Sequence, residues 1–96
     1  MQRVKEQPLG LLIRQFLREE GLETPLNEYR AESSWNELMG DMVARYTRSV
    51  SLRGGILYVS ILNPALRQNL LMTKSAIIQK INTHVGAQVV QNIVFR

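Results

Sequence analysis

The sequence predicts an α+β fold in which three strands form one sheet and the helices pack on one of its faces. Three observations indicate this. Apolar residues recur at helical spacing over the first 40 positions, they alternate with polar residues from 46 to 62, and a long helical pattern then precedes a last β-branched run. The predicted order is α-α-β-β-α-β, and 96 residues are expected to form one domain over 1–96.

The first two helices are predicted over residues 8–20 and 25–40. Pro8 suits the first turn of a helix, and Gly21 offers a C-terminal stop. Gly40 marks either the end of the second helix or a close contact. Between these signals the apolar residues recur every three or four positions, as an amphipathic helix requires.

The next two strands are predicted to form a hairpin, the first running from near Tyr46 to Arg53 and the second over 56–62. Gly54 and Gly55 between them can both adopt positive φ, as a two-residue hairpin turn needs. The side chains expected to face the core are Leu57, Val59 and Ile61. Those expected on the outward face are Thr47, Ser49, Ser51, Arg53, Tyr58 and Ser60.

A third helix is predicted from 64 to 84, roughly 30 Å long, followed by a last strand over 89–95. Asn63 and Pro64 supply an N-cap and a first-turn proline, and Gly86 closes the helix. The helix therefore serves as the crossover between the hairpin and the last strand.

Charge is distributed unevenly along the chain. Residues 1–41 carry five Lys or Arg and all eight acids, whereas residues 42–96 carry seven cations and no acid. Soluble surfaces normally mix both signs, so the second segment predicts a polyanionic partner. Nucleic acid is the usual one, and an anionic membrane is the rival. The alternative is that the acidic segment neutralises the basic one within the fold.

Composition argues against catalysis. The absence of cysteine excludes disulfides, a thiol nucleophile and thiolate metal sites. The one histidine, His84, falls in the last turn of the third helix, where a cation is structurally favourable. Gly54 and Gly55 lie between strands, which excludes a phosphate-binding loop before a helix. The N-terminus has no secretory or membrane pattern. We therefore expect a cytoplasmic, non-enzymatic protein without cofactor, metal or membrane partner.

The candidate nucleic-acid-binding residues are the basic side chains of the acid-free segment and one tyrosine: Arg45, Arg48, Arg53, Tyr58, Arg67, Lys74 and Lys80. Helical periodicity places Arg67 and Lys74 between two apolar stripes of the third helix, where they either project together toward phosphates or extend from packed stems into water. The outward sheet face is either a contact surface or an ordinary exposed face. Trp35 is expected to be a core residue.

An ordered series of residues resembles one known family. The series comprises Trp35, Leu38-Met39-Gly40, Thr47, Arg53-Gly54-Gly55-Ile56-Leu57-Tyr58-Val59, Asn63-Pro64-Ala65-Leu66-Arg67, Leu70, Lys74, Ile81-Asn82, Gly86 and Ile93-Val94-Phe95-Arg96. It is similar to the DciA family of bacteria. The resemblance implies a KH-like domain without the GXXG loop that binds single-stranded DNA and assists loading of the replicative DnaB-type helicase. Longer members carry a flexible C-terminal extension, so the sequence resembles a short, single-domain member.

Taken together, the residues and the resemblance predict a nucleic-acid-binding accessory protein of DNA replication. Its expected partners are single-stranded DNA and a DnaB-type helicase. Two other functions stay open. The third helix could bind a protein partner or a second copy of the chain in a homodimer, or the domain could be a KH-like RNA-binding protein.

Overall fold

The fold, known from a computed structural model, is described over residues 2–19, 21 and 23–96, and by its backbone alone at 2–9, 17, 23 and 24. It is α+β, as predicted. The elements in chain order are α1 (Gln2–Glu19), α2 (Glu23–Met39), α3 (Asp41–Tyr46), β1 (Thr47–Arg53), β2 (Ile56–Ile61), α4 (Pro64–Met72), α5 (Lys74–Val85) and β3 (Asn92–Phe95).

The three strands form one mixed sheet in the order β1-β2-β3. β1 and β2 are antiparallel and joined by the predicted hairpin turn, in which Gly54 and Gly55 have φ of 59° and 81°. β3 runs parallel to β2, so the chain must cross over between them, and α4 and α5 make that crossover. The helices pack on one side of the sheet, with α2 against both α5 and β1.

The core lies between the helices and the inner face of the sheet. The trio predicted to face inward is buried, with Leu57 and Val59 fully inaccessible and Ile61 3% exposed. Trp35 is also fully buried, and its ring lies 6.2 Å from that of Phe95. The prediction that Trp35 is a core residue is therefore confirmed.

A β-bulge at the start of β1 changes the face to which one predicted outward residue belongs. The pairing register shifts between Thr47 and Ser49, so Thr47 pairs with Ile61 on the core side. The Trp35 indole N–H donates to the Thr47 hydroxyl oxygen at 3.0 Å, and that hydroxyl donates to the carbonyl of Val43 at 2.7 Å. The prediction that Thr47 faces outward is wrong, because the bulge inserts one residue into the alternation.

The N-terminal half holds one helix more than the pattern predicts. Gly40, with φ of 91°, ends α2. The chain then forms the short α3, and β1 begins at Thr47, next to the predicted start near Tyr46. α1 begins at Gln2, six residues before the predicted start at Pro8. Pro8 thus lies within the helix, where it removes one backbone hydrogen bond to the preceding turn. The predicted last residue of this helix, Glu20, lies outside the described residues.

The predicted third helix is two helices, α4 and α5, separated at Thr73. This residue has φ of −110° and ψ of 20°, and its hydroxyl donates to the carbonyls of Leu70 and Asn69 at 3.2 and 3.4 Å. Threonine side chains that bond back to the preceding turn compete with the helical ladder and bend it. The helical register between Arg67 and Lys74 is therefore interrupted.

One of the two apolar stripes predicted on this helical segment faces the core: Leu70, Ile77 and Ile81 are buried and Leu66 is half-buried. The second stripe is mixed, since Val85 is buried while Leu71 is 45% exposed. The apolar surface left for a protein partner is smaller than the twin-stripe pattern suggests.

The last strand is shorter than predicted because its first residues bond elsewhere. The buried Asn82 side chain accepts from the N–H groups of Val89 and Val90 at 3.1 and 2.9 Å and donates to the Val90 carbonyl at 2.9 Å. Gln91 donates its N–H to the carbonyl of Gly55 at 2.7 Å. β3 consequently begins only at Asn92.

The bond between Trp35 and Thr47 predicts the effect of an isosteric substitution. Thr47→Val keeps the side-chain shape but leaves the buried indole N–H without an acceptor, so it should lower the free energy of unfolding by about 1–3 kcal/mol. Urea unfolding followed by far-UV circular dichroism measures this. Thr83→Val, at an exposed position of α5, is the matched control and should change stability by less than about 0.5 kcal/mol. Equal losses in both variants would contradict the assignment.

Candidate nucleic-acid interface

The outer face of the sheet is the surface with the features of a binding site. Its side chains alternate with those of the core, and no helix in the described part of the chain packs over them. We call this surface the open sheet face. Its residues are Ser49, Ser51, Arg53, Ile56, Tyr58, Ser60, Asn92, Val94 and Arg96. None of them is acidic, so the face combines hydroxyl and apolar groups with positive charge.

Tyr58 occupies the centre of the open sheet face. It lies on the central strand, paired with Ser51 on one side and Val94 on the other, and it is half-buried. The guanidinium carbon of Arg53 is 5.6 Å from the centre of its ring and that of Arg96 is 5.0 Å away. Both distances fall within the range of cation–π interaction. The two guanidinium groups thus lie over the ring, while both arginine side chains remain exposed to solvent.

Arg96 was not among the residues predicted from the sequence. Its backbone continues the ladder of β3, donating to the carbonyl of Val59 at 2.9 Å and accepting from Ile61 at 2.7 Å. Because Val94 points outward and Phe95 inward, the next side chain returns to the open sheet face. The alternation from Ile93 onward was the signal that could have found it.

The structure brings two of the predicted site residues, Arg53 and Tyr58, into contact and places the others elsewhere. Arg48 is exposed at the bulge of β1, and Arg45 is exposed on α3. Lys80 lies on α5 in the helical layer, beside an apolar groove of about 260 Å³. The apolar residues of this groove include Leu38, Met39, Val43, Leu70 and Ile77. Lys80 therefore lies on the helical side of the sheet, away from Tyr58.

Arg67 and Lys74, predicted to act together, have different environments. The Nη2 of Arg67 points at the carbonyl oxygen of Ile61 at 3.5 Å, and its Nε is buried without a hydrogen-bond partner among the described residues. Lys74 is the first residue of α5 and is half-buried. The Arg67 guanidinium thus lies beside the end of β2, and the joint projection of Arg67 and Lys74 toward phosphates stays a prediction.

Positive charge in the second half of the chain is not cancelled by direct contact. Within the described residues, no Lys or Arg of 42–96 forms an ion pair with a carboxylate. Neutralisation within the fold by ion pairing, the alternative that the charge distribution left open, is therefore not observed in this part of the protein. The arginines beside Tyr58 keep their charge available for an anionic ligand.

Metal binding and membrane insertion have no candidate element among the described residues. No group of three or more His, Cys, Asp or Glu among them is placed to hold a metal ion. No helix in the described ranges is both long enough and apolar enough to cross a bilayer.

Comparison with known proteins agrees with the resemblance seen in the sequence. The sequence profile of the family described as "Dna[CI] antecedent, DciA" matches residues 8–95, which is nearly the whole chain. The chain belongs to the DciA family. This family is associated with loading of the DnaB helicase.

A curated relative of this DciA-family chain is a UPF0232 protein of Rhodococcus jostii (strain RHA1). The two are 31% identical over 87 residues, which cover 91% of this chain and 46% of the relative. The chain thus spans about half the length of the relative that it matches.

Because Arg67 and Lys74 have different environments, we expect charge reversal to lower the free energy of unfolding much more at Arg67 than at Lys74. Arg67→Glu should lower the free energy of unfolding by more than about 2 kcal/mol, because it points a carboxylate at a carbonyl oxygen in a poorly solvated position. Lys74→Glu should change it by less than about 0.5 kcal/mol. Urea titrations of both variants measure the difference. Equal stability of the two variants would show that Arg67 has no structural role.

Proposed function

We propose that this chain is a single-stranded DNA-binding accessory domain that works with a DnaB-type replicative helicase, and that DNA binds on the open sheet face. The observation that carries the proposal is Tyr58, flanked by Arg53 and Arg96 on a face without acids or covering helices. The family association supplies the link to the helicase.

The arrangement suits a single strand because a base must leave its stack to meet an aromatic side chain. Stacking of a base on Tyr58 would be worth about 1–3 kcal/mol and would tolerate any sequence. The two guanidinium groups, which lie over the ring in the free protein, would give way to that base and contact the phosphates on either side of it by charge-assisted hydrogen bonds. The hydroxyls of Ser49, Ser51 and Ser60 could donate further bonds to phosphate or sugar oxygens.

Two of the sequence-predicted cations lie near the start of β1 and would extend this surface. Arg48 lies at the bulge on the same strand as Arg53. Arg45 lies on α3, three residues before Arg48. Both are exposed and neither has an acidic partner within the described residues. They would lengthen the path of the DNA backbone beyond Tyr58 toward the start of β1.

The salt dependence of binding tests this assignment. Because released counterions dominate such affinities, the logarithm of the association constant should fall linearly with the logarithm of salt concentration. Replacing Arg53 and Arg96 together with Ala removes two phosphate contacts and should reduce the slope by about 1.4, at roughly 0.7 per contact. Fluorescence anisotropy with a labelled oligo(dT) measures it.

The matched control removes the same charge from the helical layer. Lys74→Ala combined with Lys80→Ala should leave the slope nearly unchanged, because both lysines lie on α5. The proposal would be contradicted if the lysine pair reduced the slope and the arginine pair did not. Tighter binding of RNA than of DNA with the same sequence would instead support the RNA-binding alternative.

A further inference from the structure

A second surface with different chemistry adjoins the open sheet face at the hairpin turn. It is a cleft of about 410 Å³ between the start of α2, the Gly54-Gly55 turn and the segment before β3. We call it the carboxamide cleft. Its polar side chains are Asn27, Glu28, Gln88 and Gln91. Gly54, which forms part of the wall of the cleft, directly follows Arg53 in the chain.

The polar groups of the carboxamide cleft are available to a ligand. The half-buried Glu28 carboxylate and Asn27 amide have no hydrogen-bond or ionic partner within the described residues. Gln88 accepts from the Asn82 amide at 3.1 Å, which leaves its own N–H groups free to donate. Half-buried polar groups without partners around a cavity are expected to bind a polar ligand or water.

The glycine wall suits a flat ligand. A Cβ on Gly55 would lie 3.1 Å from the Gln91 side-chain carboxamide carbon, and Gly55 also has a φ of 81°. The Gln91 side chain thus covers Gly55, whereas a Cβ on Gly54 would meet nothing within 4 Å, so a planar ring can approach the backbone at Gly54. The volume falls within the range of about 300–1,000 Å³ that is usual for ligand pockets.

The charges around the carboxamide cleft determine which part of a nucleotide can bind in it. The carboxamide cleft contains no cation, and its one charged group, Glu28, repels phosphate. The cations lie next to it, because Arg14 and Arg30 line an adjoining cleft that shares Asn27 and Ala87 with this one. A nucleotide would therefore place its base in the carboxamide cleft and its phosphate outside.

We propose that the carboxamide cleft binds one unstacked base of the DNA strand and prefers guanine over thymine. The inference rests on the proposed single-stranded DNA binding. A carboxylate accepts hydrogen bonds only, and the Watson–Crick edge of guanine offers two adjacent donors, N1–H and the N2 amino group. Thymine offers one donor between two carbonyl oxygens, which the carboxylate repels. The neighbouring carboxamides can donate to the guanine O6 oxygen.

The experiment compares two oligonucleotides of equal length, one of thymidine only and one with isolated guanosines spaced along it. The natural chain should bind the guanosine-containing strand about fivefold or more tightly, the lower end of the discrimination by one bidentate base contact. Glu28→Gln should abolish this preference without weakening the affinity for the thymidine strand, because the repulsion of thymine by the carboxylate is removed as well. Gln91→Ala, on the exposed rim, should reduce the preference without affecting the core.

Glu37→Gln is the matched control, because it removes the same charge from an exposed position of the same helix and should keep the preference. Equal affinity of the natural chain for both strands would overturn the base-binding cleft and leave the DNA-binding proposal standing. Loss of the preference in both glutamate variants would also overturn it, as a general charge effect. Failure to bind either strand at low salt would overturn both proposals.

Discussion

The hydrogen bond between the Trp35 indole and the Thr47 hydroxyl fixes the arrangement on which the open sheet face depends. It joins the helical layer to the first residue of β1, at the point where the register with β2 shifts by one residue. A shift by one residue moves every following side chain to the other face of a strand. With Thr47 held on the core side, Ser49, Ser51 and Arg53 must face outward, and Arg53 reaches Tyr58.

Because helices cover only one side of the sheet, a small chain can combine a packed core with a broad open sheet face. The crossover from β2 to β3 places α4 and α5 on the same side as α2, so Trp35, Ile81 and Val59 are buried together. The other side is left for the solvent. The acids are confined to the first 41 residues, so no strand residue carries a carboxylate, and the acid that contacts β1, Glu32, accepts from the Leu52 N–H at 2.7 Å.

The sequence predicts well what depends on local pattern. The hairpin follows from the two glycines, and the buried trio on β2 follows from strict alternation, because both signals lie within a few residues.

Features that depend on distant contacts could not be predicted. The prediction that Thr47 faces outward was wrong because a bulge breaks the alternation. Periodicity does not register Thr73, the residue that separates α4 from α5, so the sequence predicted one helix in place of two. Arg96 was missed although the alternation from Ile93 onward places it on the outward face.

Nuclear magnetic resonance with a short oligo(dT) tests the location of DNA binding most directly, since it reports every backbone amide at once. The account predicts that the amides of Ser49, Ser51, Arg53, Tyr58 and Arg96 shift on titration and that those of α5 change little. Shifts concentrated around Lys74 and Lys80, with the amides of the open sheet face unaffected, would contradict it.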